Sequence, residues 1–89
     1  MRINVYYWNQ LRSVRGVADE QFDFDGEPTV ADLLQRVAQH EDTKPMIFDS
    51  AANISPWLLI DRGGVMIRDL TVALADGDEI RLSMPISGG

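Results

Sequence analysis

The chain has no cysteine. That excludes disulfides, cysteine-ligated zinc, iron–sulfur clusters and a thiol nucleophile. Any sulfur chemistry must therefore use an atom brought from outside, and the composition fits the cytoplasm. A run of about 18 apolar residues, the length that spans a bilayer, is also lacking. Met1 to Gln10 shows no long apolar region followed by a cleavage site, so no secretory signal is expected. Basic residues are few: eight Lys and Arg stand against fourteen Asp and Glu, a formal net charge of −6. Phosphate backbones are bound by Lys and Arg that displace counterions, so nucleic acid is not an expected partner. The charge fits an acidic face steered toward a basic protein, although plain solubility is the simpler reading of charge alone.

Catalytic and metal-binding patterns are missing too. The one histidine, His40, has no Ser–His–Asp or metal-ligand spacing around it. Asp19, Glu20, Asp23, Asp25 and Glu27 lack EF-hand spacing and read as a solvated face. "DRGG" has no strand–Gly-rich–Lys–helix context, so it is a turn and not a phosphate loop. No metal site and no bound cofactor are expected, and nothing assembles into the active site of an independent enzyme.

What is present is one small domain. There are 89 residues, 45% apolar and 25% charged, an ordinary globular composition. Residues 2–8 alternate, with Ile3, Val5 and Tyr7 on one side and Tyr6 and Trp8 on the other, which predicts a strand. Residues 9–16 are polar and end in Gly16, which suits a hairpin turn. A second strand is expected over 17–25, with Phe22 and Phe24 on one face. The period then changes. Val30, Leu33, Leu34, Val37 and Ala38 form one helical stripe. Thr29 stands at the N-cap with Asp32 three residues on, a near capping box. The helix is expected to end between His40 and Asp42, before Pro45.

Residues 44–56 are the least legible and predict only a short turn or an irregular strand. "WLLID" (57–61) is a buried-strand candidate, "DRGG" a turn and "VMI" a short strand. Residues 70–74 read as a loop with apolar anchors, and "ADGD" as a tight turn. In "EIRLSM" Ile80, Leu82 and Met84 face one side, opposite Glu79, Arg81 and Ser83. The order is β–β–α–β–β–β. Strong alternation in the first and last strands places both centrally, side by side and parallel. One amphipathic helix must cover one face. The expected architecture is α+β: a β-grasp, ubiquitin-like mixed sheet of four to five strands with one main helix across it. Tyr6 and Trp8 then lie on the open face. An exposed Trp is a good interface anchor; partial burial against a neighbour is the competing reading.

The chain runs "DGDEIRLSMPISGG". Pro85 blocks further ladder pairing, so the domain is expected over 1–85, with 86–89 as a flexible tail. Ile86, Ser87, Gly88 and Gly89 can thread a narrow channel and bring an α-carboxylate to a reactive centre. Ordering such a thread costs backbone entropy, which a partner must offset.

This stretch resembles the C-terminus of the ubiquitin-like sulfur carriers, most closely the small subunit of molybdopterin synthase, a family related to the thiamin thiazole carrier. "INVYYWNQLRSVRG" is similar to that family's first strand and "PTVADLLQRV" to its helix start. The resemblance implies a partner, a ubiquitin-activating-enzyme-like adenylyltransferase, that adenylates Gly89 with ATP and magnesium. The acyl-adenylate becomes a thiocarboxylate, whose sulfur passes to an acceptor. For the closest relatives that acceptor is a molybdopterin precursor handled by the large synthase subunit. Gly89 would be the reactive residue, Gly88 the clearance residue, and Pro85, Ile86 and Ser87 the spacer. The chain departs from the family's frequent Pro-Pro at Met84-Pro85. Ser83 stands where relatives often carry an aromatic or apolar docking residue, and 61–76 is slightly long. The same tail would serve thiamin, cysteine or tRNA-thiolation carriers, or a ubiquitin-like modifier forming isopeptide bonds.

Overall fold

Alternation at the two ends of the chain builds the middle of the sheet. In the computed structural model, which describes residues 1–51 and 53–84, the elements run β1 (Arg2–Trp8), α1 (Asn9–Arg15), β2 (Asp19–Asp23), α2 (Val30–Val37), α3 (Lys44–Ile47), β3 (Leu59–Arg62), β4 (Val65–Met66) and β5 (Glu79–Met84). β1 and β5 are adjacent and parallel, pairing Val5 with Ile80 and Tyr7 with Leu82. Side chains alternate across a strand, so Ile3, Val5, Tyr7, Ile80 and Leu82 share one face, and none is more than 1% exposed. β2 pairs antiparallel with β1, β3 with β5, and β4 with β3. The order is β2-β1-β5-β3-β4. This is the five-stranded mixed sheet of a β-grasp, with the first and last strands central as their pattern required.

α2 lies against the buried face. Val30, Leu33, Leu34 and Val37 are fully buried, each stabilising the fold by roughly 1.5–3 kcal/mol relative to exposure. Its start is a complete capping box: the Asp32 amide donates to Thr29 Oγ1 at 3.2 Å, and the Thr29 amide donates to Asp32 Oδ2 at 2.8 Å. The loop after β4 satisfies further first-turn donors. Val30 N donates to Val72 O and Ala31 N to Leu70 O, each at 3.0 Å. Leu74 is the buried anchor of that loop. The "DRGG" turn forms as read: Gly63 and Gly64 have φ of 57° and 91°, a region that glycine enters without penalty, and Gly64 N donates to Asp61 Oδ1 at 2.8 Å.

Several expectations are corrected. Residues 9–16 are not a hairpin turn: Asn9–Arg15 is a helix whose Leu11 is fully buried. β2 is shorter than 17–25. α2 stops at Val37, before the expected end, and the chain turns through His40 into α3. There Pro45 occupies the first turn, where its missing N–H costs nothing. In "WLLID" the strand begins at Leu59, and Trp57 is 68% exposed. Among the described residues, no helix is long and apolar enough to cross a membrane.

Candidate functional site

β-Strand register decides which side chains share the face opposite α2. Tyr6 pairs with Arg81 and Trp8 with Ser83 across β1 and β5. On the other side of β5, Asp61 pairs with Arg81 and Leu59 with Ser83. Directly opposed residues point the same way. The open face therefore carries one row of Tyr6, Arg81 and Asp61, and a second of Trp8, Ser83 and Leu59. Trp8 is 49% exposed and Leu59 38%. Tyr6 and Trp8 thus lie on the open face, as their alternation predicts, with neighbours covering part of each.

Those neighbours are charged. The Arg81 guanidinium lies over the Trp8 ring, 4.3 Å from its centroid. The Tyr6 hydroxyl donates to Glu79 Oε2 at 2.8 Å, and this bond, then the Glu79 charge, raises the phenol above its ordinary value. Tyr6, Trp8, Asp61, Glu79 and Arg81 border a shallow groove of about 390 Å³ that reaches the Gly63–Gly64 turn. An aromatic surface, a small residue between Trp8 and Leu59, and acids at the rim can seat an apolar side chain from a partner with basic groups around it. Ser83 thus leaves a gap flanked by two large apolar neighbours. Those neighbours come from β1 and β3, residues that the last strand alone does not reveal.

This face adjoins the root of the C-terminal motif. Asn9 forms a parallel bridge with Met84, one pair beyond Trp8 and Ser83. Pro85, Ile86, Ser87, Gly88 and Gly89 lie outside the described residues.

A second cluster, on the helix side, was not legible. Tyr7 is buried, and its hydroxyl donates to Glu20 Oε1 at 2.7 Å. Arg15 donates to both Glu20 oxygens, from Nε at 2.8 Å and from its terminal nitrogen at 2.6 Å, and His40 Nε2 stands 3.5 Å from Oε2. Burial pushes the Glu20 carboxyl up, but the bonds from Arg15 and Tyr7 and the nearby positive charge outweigh it and hold it below its usual value. Burial, then the Glu20 bond, raises the Tyr7 phenol. Glu20 is thus not part of a solvated acidic face; it ties β1, α1 and β2 together. Among the described residues, no group of three or more His, Asp or Glu is placed to hold a metal.

Known structures share this architecture. SAMP1 from Haloferax volcanii superposes with a TM-score of 0.91 at 28% identity, covering 100% of both chains. Small archaeal modifier protein 1 from Methanosarcina acetivorans gives 0.79 at 26%, covering 99% of this chain and 96% of its own. A chain from the complex of subunits 1 and 2 of molybdopterin-converting factor from Helicobacter pylori gives 0.70 at 19%, with full coverage of both, a likeness of fold. No curated protein sequence matches. The ThiS family model matches residues 5–89, nearly the whole chain and the Gly88-Gly89 motif with it, so this protein belongs to the ThiS family of ubiquitin-like sulfur carriers.

Proposed function

We propose that this protein is a sulfur carrier whose Gly89 carboxyl is the reactive group, that it serves molybdopterin formation, and that it acts in the cytoplasm as a protein substrate rather than an enzyme. The observation that carries the reading is the match of the ThiS family model through Gly89. A carboxylate is a poor electrophile. An adenylating partner, using ATP and magnesium, joins the Gly89 carboxylate to AMP and releases pyrophosphate. Hydrosulfide, supplied by a sulfur donor, then attacks the carbonyl carbon; a C–S bond forms, the C–O bond to AMP breaks, AMP leaves and the proton on sulfur passes to solvent. The resulting thiocarboxylate is carried on Gly88-Gly89 to an acceptor enzyme, such as a large synthase subunit. In this reading Pro85, Ile86 and Ser87 are the spacer, and Trp8 and Tyr6 hold the partner while the thread enters its channel. The chain itself supplies no general base.

Likeness to SAMP1 from Haloferax volcanii across the full chain favours a second reading, a modifier whose Gly89 forms isopeptide bonds with lysines. Activation is common to both. Intact mass measurement of protein purified from its native host separates them: a thiocarboxylate adds only the difference between sulfur and oxygen, whereas conjugation adds the mass of a whole protein. A gene product that continues past Gly89 untrimmed, or one that its adenylating enzyme leaves unmodified, overturns both. Restoration of molybdenum-cofactor synthesis in a strain lacking its own small subunit tests the pathway; failure there with a thiocarboxylate present assigns another acceptor.

A further inference from the structure

The chain contains a single lysine, Lys44. Its primary amines are therefore the Lys44 Nζ and the α-amine of Met1. The second is engaged: it donates to the Phe24 carbonyl at 2.9 Å, and the Phe24 amide donates back to the Met1 carbonyl at 2.8 Å. An amine held this way at the edge of the β1–β2 ladder must give up its bond before it can attack.

Lys44 is exposed and has no ion-pair partner among the described residues. Its backbone is nonetheless firmly placed. It opens α3, its amide donates to His40 O at 3.0 Å, and the preceding Thr43 is fully buried, its hydroxyl bonded to the Val37 and His40 carbonyls. Beside it runs an open groove of about 760 Å³, bordered by Gln35, Glu41, Pro45, Phe48 and Asp49. A fixed root, an unpaired amine and a groove that Pro45 and Phe48 border suit an incoming narrow peptide.

We propose that Lys44 is the acceptor site through which one copy of this protein is joined to the Gly89 of another. The inference rests on the second reading above, in which Gly89 forms isopeptide bonds. The deprotonated Nζ attacks the carbonyl carbon of the Gly89 acyl-adenylate supplied by the adenylating partner. A C–N bond forms, the C–O bond to AMP breaks, AMP leaves, and the proton from nitrogen passes to solvent. Each joined copy offers its own Lys44, so the linkage can extend.

The test is peptide mapping of the protein from its native host, as wild type and as Lys44→Arg, which keeps the charge. Trypsin cuts after Arg36, Arg62 and Arg81. A Lys44 linkage therefore yields one branched peptide, residues 37–62 carrying residues 82–89. The expected result is that this peptide and the dimer-mass species are present in the wild type and lost in Lys44→Arg, while adducts to other proteins persist in both. Adducts to other proteins with no branch at Lys44 overturn the inference and leave the modifier reading standing, as do dimers that survive Lys44→Arg through the Met1 amine. Absence of any Gly89 adduct overturns the inference together with the reading beneath it.

Discussion

Arg81 lies over Trp8, with its guanidinium carbon 4.3 Å from the ring centroid, although the two are 73 positions apart in the chain. Parallel pairing of β1 and β5 makes them neighbours. At an exposed site such a contact contributes about 0.5–1 kcal/mol, so it shapes the face more than it stabilises the fold. Trp8→Ala should therefore shift the unfolding free energy by less than about 1 kcal/mol, yet weaken the complex with the adenylating partner by at least about tenfold, the behaviour of an interface anchor. Denaturant titration and calorimetric binding check the two halves separately. A fully stable variant with unchanged affinity would move the docking face elsewhere.

The Glu20 cluster predicts an acid limit. Its carboxyl lies below the ordinary value of 4.5 in the folded protein, so the unfolded chain takes up the proton first. The stability it contributes is complete above that ordinary value and is lost as pH falls through the folded one. Urea midpoints should hold steady from neutral pH to about pH 5 and decline below about 4.5. Glu20→Gln should lose roughly 1.5–3 kcal/mol at neutral pH, the range for hydrogen bonds to a charged group, and should show a shallower acid decline. An equal slope in wild type and variant would assign the acid limit to other carboxylates.

How far the sequence reveals this molecule depends on repetition of pattern. β1, α2 and β5 each repeat their period several times, and each was legible with its buried face. α1 was not, because seven residues with one buried side chain, Leu11, present no stripe to read. Its only signal is basic residues followed by Gly16 at the helix end. "WLLID" was legible as a strand but not in where it starts, for the opposite reason: four consecutive apolar residues conceal which of them alternate inward. Leu58 and Ile60 turn out to be the buried pair. Tyr6 and Trp8 were legible from alternation alone. Arg81, Asp61 and Leu59 became their companions only once register was known, and the Glu20 cluster joins three elements that no local pattern connects.

α1 itself is testable. Leu11 is fully buried beneath a helix that otherwise faces solvent. Leu11→Ala removes the one buried apolar side chain of this helix, leaving the Arg15–Glu20 pair to hold it, and large-to-small changes at such sites cost about 2–5 kcal/mol. For a domain of this size that corresponds to a drop of at least about 8 °C in the melting temperature. Calorimetry would show it. A change confined to the circular dichroism of a few residues, with the melting temperature intact, would mean that α1 is an appendage rather than part of the core.

The last prediction separates the fold from the chemistry. Among the described residues, the buried core side chains run from Ile3 to Leu82 and the ladder pairs of β5 run through Ser83. Deleting Gly88 and Gly89 should therefore leave the melting temperature unchanged within about 2–4 °C, the range that corresponds to about 0.5 kcal/mol in a domain of this size. The same deletion should abolish adenylation by the partner enzyme, because the carboxyl that the AMP must join then sits on Ser87, two residues short of the reactive centre and carrying a side chain where clearance is needed. Gly88→Val keeps the length and adds only bulk; it should retain partner binding while slowing adenylation by at least about tenfold, equivalent to about 1.4 kcal/mol of barrier. Pyrophosphate release measured against partner binding distinguishes a blocked channel from a lost docking face. Activity retained in the deletion would show that the reactive group is not at Gly89.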